Sequence, residues 1–320
     1  MNYNEKPIVL ISKCLGFEPC RYNGGIVNDS FIEALKDYVE FITVCPETSM
    51  GLTTPRDSIR IVEIGDKISL VQPKTNKDLT ENIKKFNSQF LAELGEIDAI
   101  ILKSKSPCCG IKDARIYPKI EKCSALRRGK GFFAEAAVDK YPLLPIEDEG
   151  RLTNFKIREH FLTRIYVLAD FRICKKEKSF QSLRDFHIKN SLLFLSYSQK
   201  YSKVLDSLIY GDSNDFNEII DEYEFNLLRL LNRAPRYTSN INVLMRTIEQ
   251  FNELITEEEN QFIWNTIDKY RNGFVTFSVP LHVVKGYLIR FELENLLNQT
   301  FFRPYPEELI QVTDSGKMIH

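Results

Sequence analysis

The chain has 320 residues, of which 43% are hydrophobic and 27% charged, and its formal net charge is −1. This composition excludes intrinsic disorder of the whole chain, because there is enough apolar material for a core. No apolar run approaches the roughly 18 residues of a membrane-spanning helix, and the first residues lack the apolar run of a signal peptide. We expect a soluble cytoplasmic protein of about two domains with no membrane partner.

Strand and helix signals alternate in the N-terminal half. Short apolar runs predict strands at 7–12, 41–44, 99–102 and 143–146, and a hairpin at 60–71. One-sided apolar periodicity predicts helices at 30–39, 78–94 and 131–140. Such alternation predicts an α/β domain at residues 1–150, built on a parallel sheet that helices cover on both faces.

The C-terminal half has helical periodicity almost throughout. Helices are predicted at 183–210, 215–231, 239–255, 257–270 and 280–298, and one strand at 274–279. We therefore expect an all-α C-terminal helical domain at 179–320, and RNA recognition is the role we expect for it. Residues 151–178 are predicted to form a bridging helix and a linker, the linker being Lys175–Lys178.

Charge is spread unevenly along the chain. Residues 1–180 have 29 basic and 25 acidic side chains, whereas residues 181–320 have 14 and 19. Lys103–Lys130 has nine Lys and Arg residues against Asp113 and Glu121. A charge run usually forms a solvated face, but this one follows a cysteine pair, which favours contact with an anionic substrate.

The seven cysteines are the most informative residues. They are Cys14, Cys20, Cys45, Cys108, Cys109, Cys123 and Cys174. An odd number in a chain of this kind speaks against a disulfide framework and for metal binding or thiol chemistry. Cys14, Cys45 and the pair Cys108–Cys109 each follow a predicted buried strand. Because ligands bind outside the carboxyl ends of parallel strands, these thiols are expected at one edge of the sheet.

Thiols that meet at a sheet edge suit a soft metal. Zinc usually takes CxxC pairs, which are absent here, so a cluster held by widely spaced cysteines is the better match. Three ligands on a four-iron cluster would leave one iron open as a Lewis acid. The alternative, that these are ordinary buried cysteines, is about equally supported by spacing alone.

Several polar residues stand next to these cysteines. Glu47, two residues after Cys45, is a candidate general acid or base, or else a surface glutamate. Ser106, three residues before Cys109, could hydrogen-bond a substrate or cap a turn. The glycine- and arginine-containing loops 21–25 and 51–56 could contact a ligand or simply form turns.

Five motifs in this order resemble the thiouracil desulfidase family over residues 7–148. They are Ser12-Lys-Cys-Leu-Gly16, Arg21-Tyr-Asn-Gly-Gly25, Val44-Cys-Pro-Glu47, Gly51-Leu-Thr-Thr-Pro-Arg56 and Ser106-Pro-Cys-Cys-Gly110. The second half, with Arg184-Asp-Phe-His-Ile-Lys189, resembles the helical domain that is fused to it in tRNA 4-thiouridine desulfidases.

The resemblance implies a cofactor and residue roles. It implies a [4Fe-4S] cluster with three protein cysteine ligands, Cys14, Cys45 and Cys109, and one open iron that receives the thiocarbonyl sulfur. Glu47 would be the catalytic proton shuttle, and Ser106 would orient the substrate. Cys108 stands where the family has serine, so the choice between Cys108 and Cys109 stays open. Substrate-binding positions implied by these motifs and their neighbourhood are Arg21, Tyr22, Gly24, Arg56 and Lys103.

Three functions are compatible with these observations. The first is desulfidation of 4-thiouridine in tRNA, which gives uridine and sulfide without net redox. The second is the same chemistry on free thiouracil or thionucleosides. The third is a non-catalytic iron–sulfur module that binds RNA, in which Cys108 or Cys20 would be a fourth ligand. No obligate protein partner is evident.

Overall fold

The computed structural model describes residues 5–211 and 215–310. These residues form two compact units, unit 1 at 5–169 and unit 2 at 170–310. In the described chain, no helix is long and apolar enough to cross a membrane.

Unit 1 combines strands and helices. In chain order its strands are β1 (Ile8–Ser12), β2 (Glu40–Val44), β3 (Arg60–Ile64), β4 (Lys67–Gln72), β5 (Lys77–Asp78), β6 (Ala99–Leu102), β7 (Ala114–Tyr117), β8 (Arg127–Gly129) and β9 (Ile146–Asp148). Its helices are α1 (Ser30–Leu35), α2 (Pro46–Ser49), α3 (Thr80–Glu93), α4 (Phe132–Lys140) and the first part of α5 (Phe155–Glu177). The boundary between the units falls inside α5.

The predicted parallel sheet is confirmed. Its strand order is β2-β1-β6-β9, and every neighbouring pair is parallel. The last strand begins at Ile146, so the prediction of a strand at 143–146 was wrong in its bounds. Pro145 has no N–H to donate to a ladder. Its carbonyl accepts a hydrogen bond from Ile100 N–H (2.9 Å), and regular pairing starts one residue later.

A second, mixed sheet has the order β5-β4-β3-β7-β8. The predicted hairpin at 60–71 is confirmed as the antiparallel pair β3–β4. β7 and β8 were not predicted. They form an antiparallel hairpin within the basic segment Lys103–Lys130, and β7 pairs with β3 in parallel.

Unit 2 is helical, as predicted. Its helices after α5 are α6 (Phe180–Tyr197), α7 (Gln199–Tyr210), α8 (Phe216–Leu231), α9 (Tyr237–Ile248), α10 (Glu257–Arg271), α11 (Ser278–Arg290) and α12 (Glu294–Leu297). The helix predicted at 183–210 is two helices. Ser198 is extended (φ −162°) and ends α6, and its side chain caps α7 by accepting from Tyr201 N–H.

Three further predictions in this half were wrong. Residues 274–279 form bends and the start of α11 rather than a strand, because Pro280 fits a first helical turn and cannot donate to a ladder. The helix predicted at 280–298 is interrupted at Glu292, which has a left-handed backbone (φ +54°). The linker predicted at Lys175–Lys178 is the last turn of α5 and one left-handed residue, Lys178.

Candidate functional site

The carboxyl ends of three neighbouring strands meet at one edge of the parallel sheet. Ser12 of β1 lies opposite Val44 of β2, so Cys14 and Cys45 follow adjacent strand ends. On the other side of β1, Lys103 N–H donates to Ser12 Oγ (2.9 Å), which holds the end of β6 against β1. The loops that contain Cys14, Cys45 and the pair Cys108–Cys109 therefore start side by side, as the strand pattern predicts.

The thiols on these loops interact with one another. Burial raises the pKa of Cys14 to about 11; the Cys45 thiol adds to this, and the charges of Lys103 and Arg21 oppose it. Burial also raises the pKa of Cys109, although a hydrogen bond with the Ser12 side chain lowers it. Because these thiols are stable as neutral groups without a cation, metal binding would have to release protons from them.

The loop that contains the cysteine pair is fixed by α4. The N–H groups of Phe133 and Ala134 donate to the Cys108 carbonyl (2.9 and 3.0 Å), so the loop caps the helix. Gly131 allows this approach, since a Cβ there would lie 2.4 Å from the same carbonyl oxygen. Cys108 is fully buried in the apolar core, and Cys109 is 6% exposed.

Ser106 shapes the same turn. Its Oγ accepts hydrogen bonds from the N–H groups of Cys108 (3.2 Å) and Cys109 (3.1 Å). These are the contacts of a turn-capping serine. These two hydrogen bonds do not use the hydroxyl proton, so Ser106 O–H can still donate a hydrogen bond.

Glu47 and Arg56 form a buried ion pair. Their side chains are 14% and 4% exposed, and Arg56 Nε and Nη2 both donate to Glu47 Oε2 (2.9 and 2.5 Å). Arg56 Nη1 donates to the Thr53 carbonyl and to Thr54 Oγ1, both at 3.2 Å. Arg56, which the resemblance suggested as a substrate-binding residue, thus holds the carboxylate in place. The charge of Glu47 in turn acts on the Cys109 thiol.

Lys103 is likewise engaged with a carboxylate, Glu149. Its Nζ forms an ion pair with Glu149 Oε1, and the Ser104 hydroxyl donates to the same oxygen (2.6 Å). Burial raises the pKa of Glu149, but the hydrogen bonds from Lys103 and Ser104 outweigh it, so the pKa lies below its usual value. No motif in the sequence singles out Glu149, although it directly follows the fourth parallel strand.

The loop after β1 contains the other predicted substrate-binding residues. Gly24 has a left-handed backbone (φ +71°) and its N–H donates to the Arg21 carbonyl (2.8 Å). Tyr22 is 48% exposed, and its carbonyl accepts from Arg56 N–H (2.8 Å), which joins this loop to the one after β2. Cys20, on the same loop, is 2% exposed; burial raises the pKa of its thiol to about 12, and the Cys45 thiol adds to this.

The donor set suits a cluster better than a single ion. Among residues 5–211 and 215–310, no group of three or more His, Cys, Asp or Glu side chains is placed to hold one metal ion. A four-iron cluster needs a wider spacing of its ligands than a single ion does, because each thiolate binds a separate iron and the thiols surround the cluster. Thiols on three adjacent loops have the soft-ligand chemistry of iron–sulfur sites.

Comparison with known proteins gave matches to each half of the chain. Residues 9–149 match the family described as 2-thiouracil desulfurase, and residues 191–306 match a family described as a protein of unknown function (DUF1722). The uncharacterized protein YbbK of Bacillus subtilis (strain 168) is 33% identical over 110 residues, which are 32% of this chain and 73% of YbbK. A solved structure of the [4Fe-4S]-dependent thiouracil desulfidase TudS is 26% identical and has a TM-score of 0.36; the match covers 47% of this chain and 93% of TudS.

Proposed function

The chain belongs to the 2-thiouracil desulfurase family through residues 9–149, and from this premise we propose that it removes sulfur from 4-thiouridine in tRNA. The overall reaction exchanges the thiocarbonyl sulfur for the oxygen of water, giving uridine and sulfide without net redox. The observation that carries the proposal is the set of cysteine-bearing loops at three adjacent parallel strand ends.

In this proposal Cys14, Cys45 and Cys109 hold a [4Fe-4S] cluster. When bound, the cluster supplies a Lewis-acidic iron that attracts the thiocarbonyl sulfur. We favour Cys109 over Cys108 because the Ser12 side chain and the Cys14 thiol both act on the pKa of Cys109, and because 6% of Cys109 is exposed whereas Cys108 has no exposed surface.

Glu47 is the proton shuttle in this proposal. Both hydrogen bonds from Arg56 go to Oε2, so Oε1 stays available to accept a proton from the attacking water or to return one. Because two Arg56 N–H groups donate to the same oxygen, Arg56 fixes the orientation of the carboxylate. The Ser106 hydroxyl, whose acceptor side is used by backbone N–H groups, can donate to a substrate oxygen or nitrogen.

The β7–β8 hairpin favours a polyanionic substrate. Arg115 and Arg128 lie directly opposite each other in its register, and both are exposed. Like charges at facing positions destabilise a β-ladder, and within the described ranges neither arginine is in an ion pair. A phosphate backbone between them would relieve this repulsion, which is the reason to prefer tRNA over a free base.

The test is turnover by the anaerobically reconstituted full chain. Thiolated tRNA and free thiouracil are supplied in parallel, and loss of the thiocarbonyl absorbance is followed together with sulfide release. Turnover of the tRNA in preference to the free base is expected. Turnover of the free base alone would refute the tRNA assignment, and no turnover of either by protein with an intact cluster would refute the enzymatic function.

Single cysteine variants test the ligand set. Cys14→Ser, Cys45→Ser and Cys109→Ser should each lose iron and acid-labile sulfide after reconstitution, whereas Cys123→Ser, on the β7–β8 connection, is the matched control. Cys108→Ser should retain the iron. Glu47→Gln should keep the iron content and lose the rate. Full iron content in any of the first three variants would refute the ligand assignment.

A further inference from the structure

The charge of α8 changes sign along the helix. Residues 215–224 include five acidic side chains, whereas residues 225–248 include four arginines and no Asp, Glu or Lys. A basic residue in the last turn of a helix interacts favourably with the helix dipole, which accounts for Arg229. The same explanation does not extend to Arg233 and Arg236, which lie beyond the helix in an otherwise acidic half of the chain.

Cations and aromatic rings from α7 and α8 stand together at this end. The Arg229 guanidinium lies 5.1 Å from the Phe225 ring centroid and 5.5 Å from that of Tyr201. Lys200 Nζ lies 5.6 Å from the Tyr201 ring. Phe225 is 51% exposed, and Arg229 and Lys200 are also exposed. The result is a row of planar and cationic groups that faces solvent.

The turn from α8 to α9, which follows directly in the chain, adds exposed groups of the same kinds. Arg233, Arg236 and Tyr237 are all exposed, Tyr237 by 52%. In the part of the chain that the structure describes, Arg229, Arg233 and Arg236 form no ion pair. Arg236 also occupies the N-cap position of α9 without a side-chain cap, because a guanidinium cannot accept a hydrogen bond. The first N–H groups of α9 therefore have no side-chain cap, and a helix N-terminus of this kind favours an anion.

We propose that this arginine–aromatic surface, formed by Lys200, Tyr201, Phe225, Arg229, Arg233, Arg236 and Tyr237, binds unpaired RNA. Arginines and the α9 N-terminus would contact phosphates, and bases would stack on Phe225 and Tyr237. Stacking on exposed rings next to a positive groove is how single strands are bound without sequence preference. The inference deepens the proposed tRNA substrate by assigning a contact surface to unit 2.

Exposed rings are the reason to favour RNA over other anionic partners. Charge alone would suit an acidic peptide equally well, but two half-exposed aromatic side chains beside unpaired guanidinium groups offer flat faces for bases. An anionic membrane also attracts arginine and aromatic residues. The experiment therefore has to distinguish binding to an anionic membrane from binding to RNA.

The test measures binding of a labelled, unmodified tRNA transcript to the full chain by fluorescence anisotropy over a range of salt concentrations. Arg233→Gln/Arg236→Gln should reduce the slope of log affinity against log salt by about 1.4 to 1.8, since each phosphate contact contributes about 0.7 to 0.9. Phe225→Ala/Tyr237→Ala should weaken binding roughly fivefold or more and leave that slope unchanged.

Matched controls remove the same groups elsewhere in unit 2. Arg246→Gln/Lys269→Gln removes two exposed positive charges, and Phe262→Ala removes a 57% exposed ring. Equal losses in the surface variants and these controls would overturn the proposal. So would tighter binding to phosphatidylserine vesicles than to the transcript, if the surface variants weakened the vesicle binding alone.

The two proposals fail independently. The transcript contains no sulfur, so its binding does not depend on whether unit 1 removes sulfur. Retained, surface-dependent transcript binding together with no turnover would refute the desulfidase function only. Turnover of thiolated tRNA with binding unchanged in the surface variants would refute the assigned surface only.

Discussion

Replacing Arg56 by leucine should destabilise unit 1 through the carboxylate that it leaves behind. Arg56 donates two hydrogen bonds to Glu47 and one each to Thr53 and Thr54, from a side chain that is 4% exposed. Removing one partner of a buried ion pair costs about 3–5 kcal/mol, because the other charge stays buried and uncompensated. The free energy of unfolding should fall by about that amount in Arg56→Leu.

The double variant isolates the interaction energy between Glu47 and Arg56 from the contacts that each side chain makes with the rest of the protein. In Arg56→Leu/Glu47→Gln the orphaned charge is gone, so the combined loss should be smaller than the sum of the single losses by about 0.5–3 kcal/mol. Additivity of the two single losses within about 0.5 kcal/mol would show that the pair is not energetically coupled, and would refute the reasoning.

Urea unfolding with two optical signals provides the assay. Trp264 is the one tryptophan of the sequence and belongs to α10 of unit 2, so its fluorescence reports on that unit. Far-UV circular dichroism reports on both units. A loss of 3–5 kcal/mol should move the midpoint in the dichroism signal by about 1 M urea or more, given a slope of about 1–3 kcal/mol per M.

Three further outcomes are expected. Gly131→Ala should lose iron on reconstitution, and its free energy of unfolding should fall by about 1–3 kcal/mol, because the new Cβ would lie 2.4 Å from the Cys108 carbonyl oxygen. Gly95→Ala, which adds a methyl group to open space, is the control. The pKa of Glu149 is lower in the folded protein than the usual 4.5, so its stabilisation is present above pH 4.5 and is lost as the pH falls through the folded value. The urea midpoint of Glu149→Gln should therefore fall less steeply in acid than that of the unsubstituted protein. Arg128→Thr should raise the free energy of unfolding by about 0.2–1 kcal/mol by removing a like-charge pair, and should reduce the salt slope of tRNA binding by about 0.9; a lower stability would contradict the repulsion.

The central sheet could be predicted because its sequence signal is local. β1 and β6 are apolar runs buried on both faces, as strands of a helix-covered parallel sheet are. β7 and β8 have no such signal, since they are short and three of their seven residues are arginines. Their place in the second sheet depends on the pairing of β7 with β3, about fifty residues earlier in the chain, which no local pattern encodes.

The candidate site also has a part that local sequence signals predict and a part that they do not. The strand-end rule predicts where Cys14 and Cys45 lie, because it needs only the strands and their direction. It cannot predict that Arg56 holds Glu47 or that Glu149 neutralises Lys103. These contacts depend on how two loops fold toward each other, and both arginine and lysine were interpreted as free to bind a substrate.

The cysteine pair shows what three-dimensional structure adds to a motif. Adjacent residues in a tight turn point in different directions, so a Cys-Cys sequence cannot say which thiol faces a ligand. Both side chains belong to the apolar core, Cys108 with no exposed surface and Cys109 with 6%, and the Cys108 carbonyl caps α4. The Ser12 side chain, at the sheet edge, lowers the pKa of Cys109. The Cys45 thiol also raises the pKa of Cys20, which no motif singled out as a ligand. The pKa of each thiol on these loops therefore depends on neighbouring cysteines from other loops, which the spacing of cysteines along the sequence does not reveal.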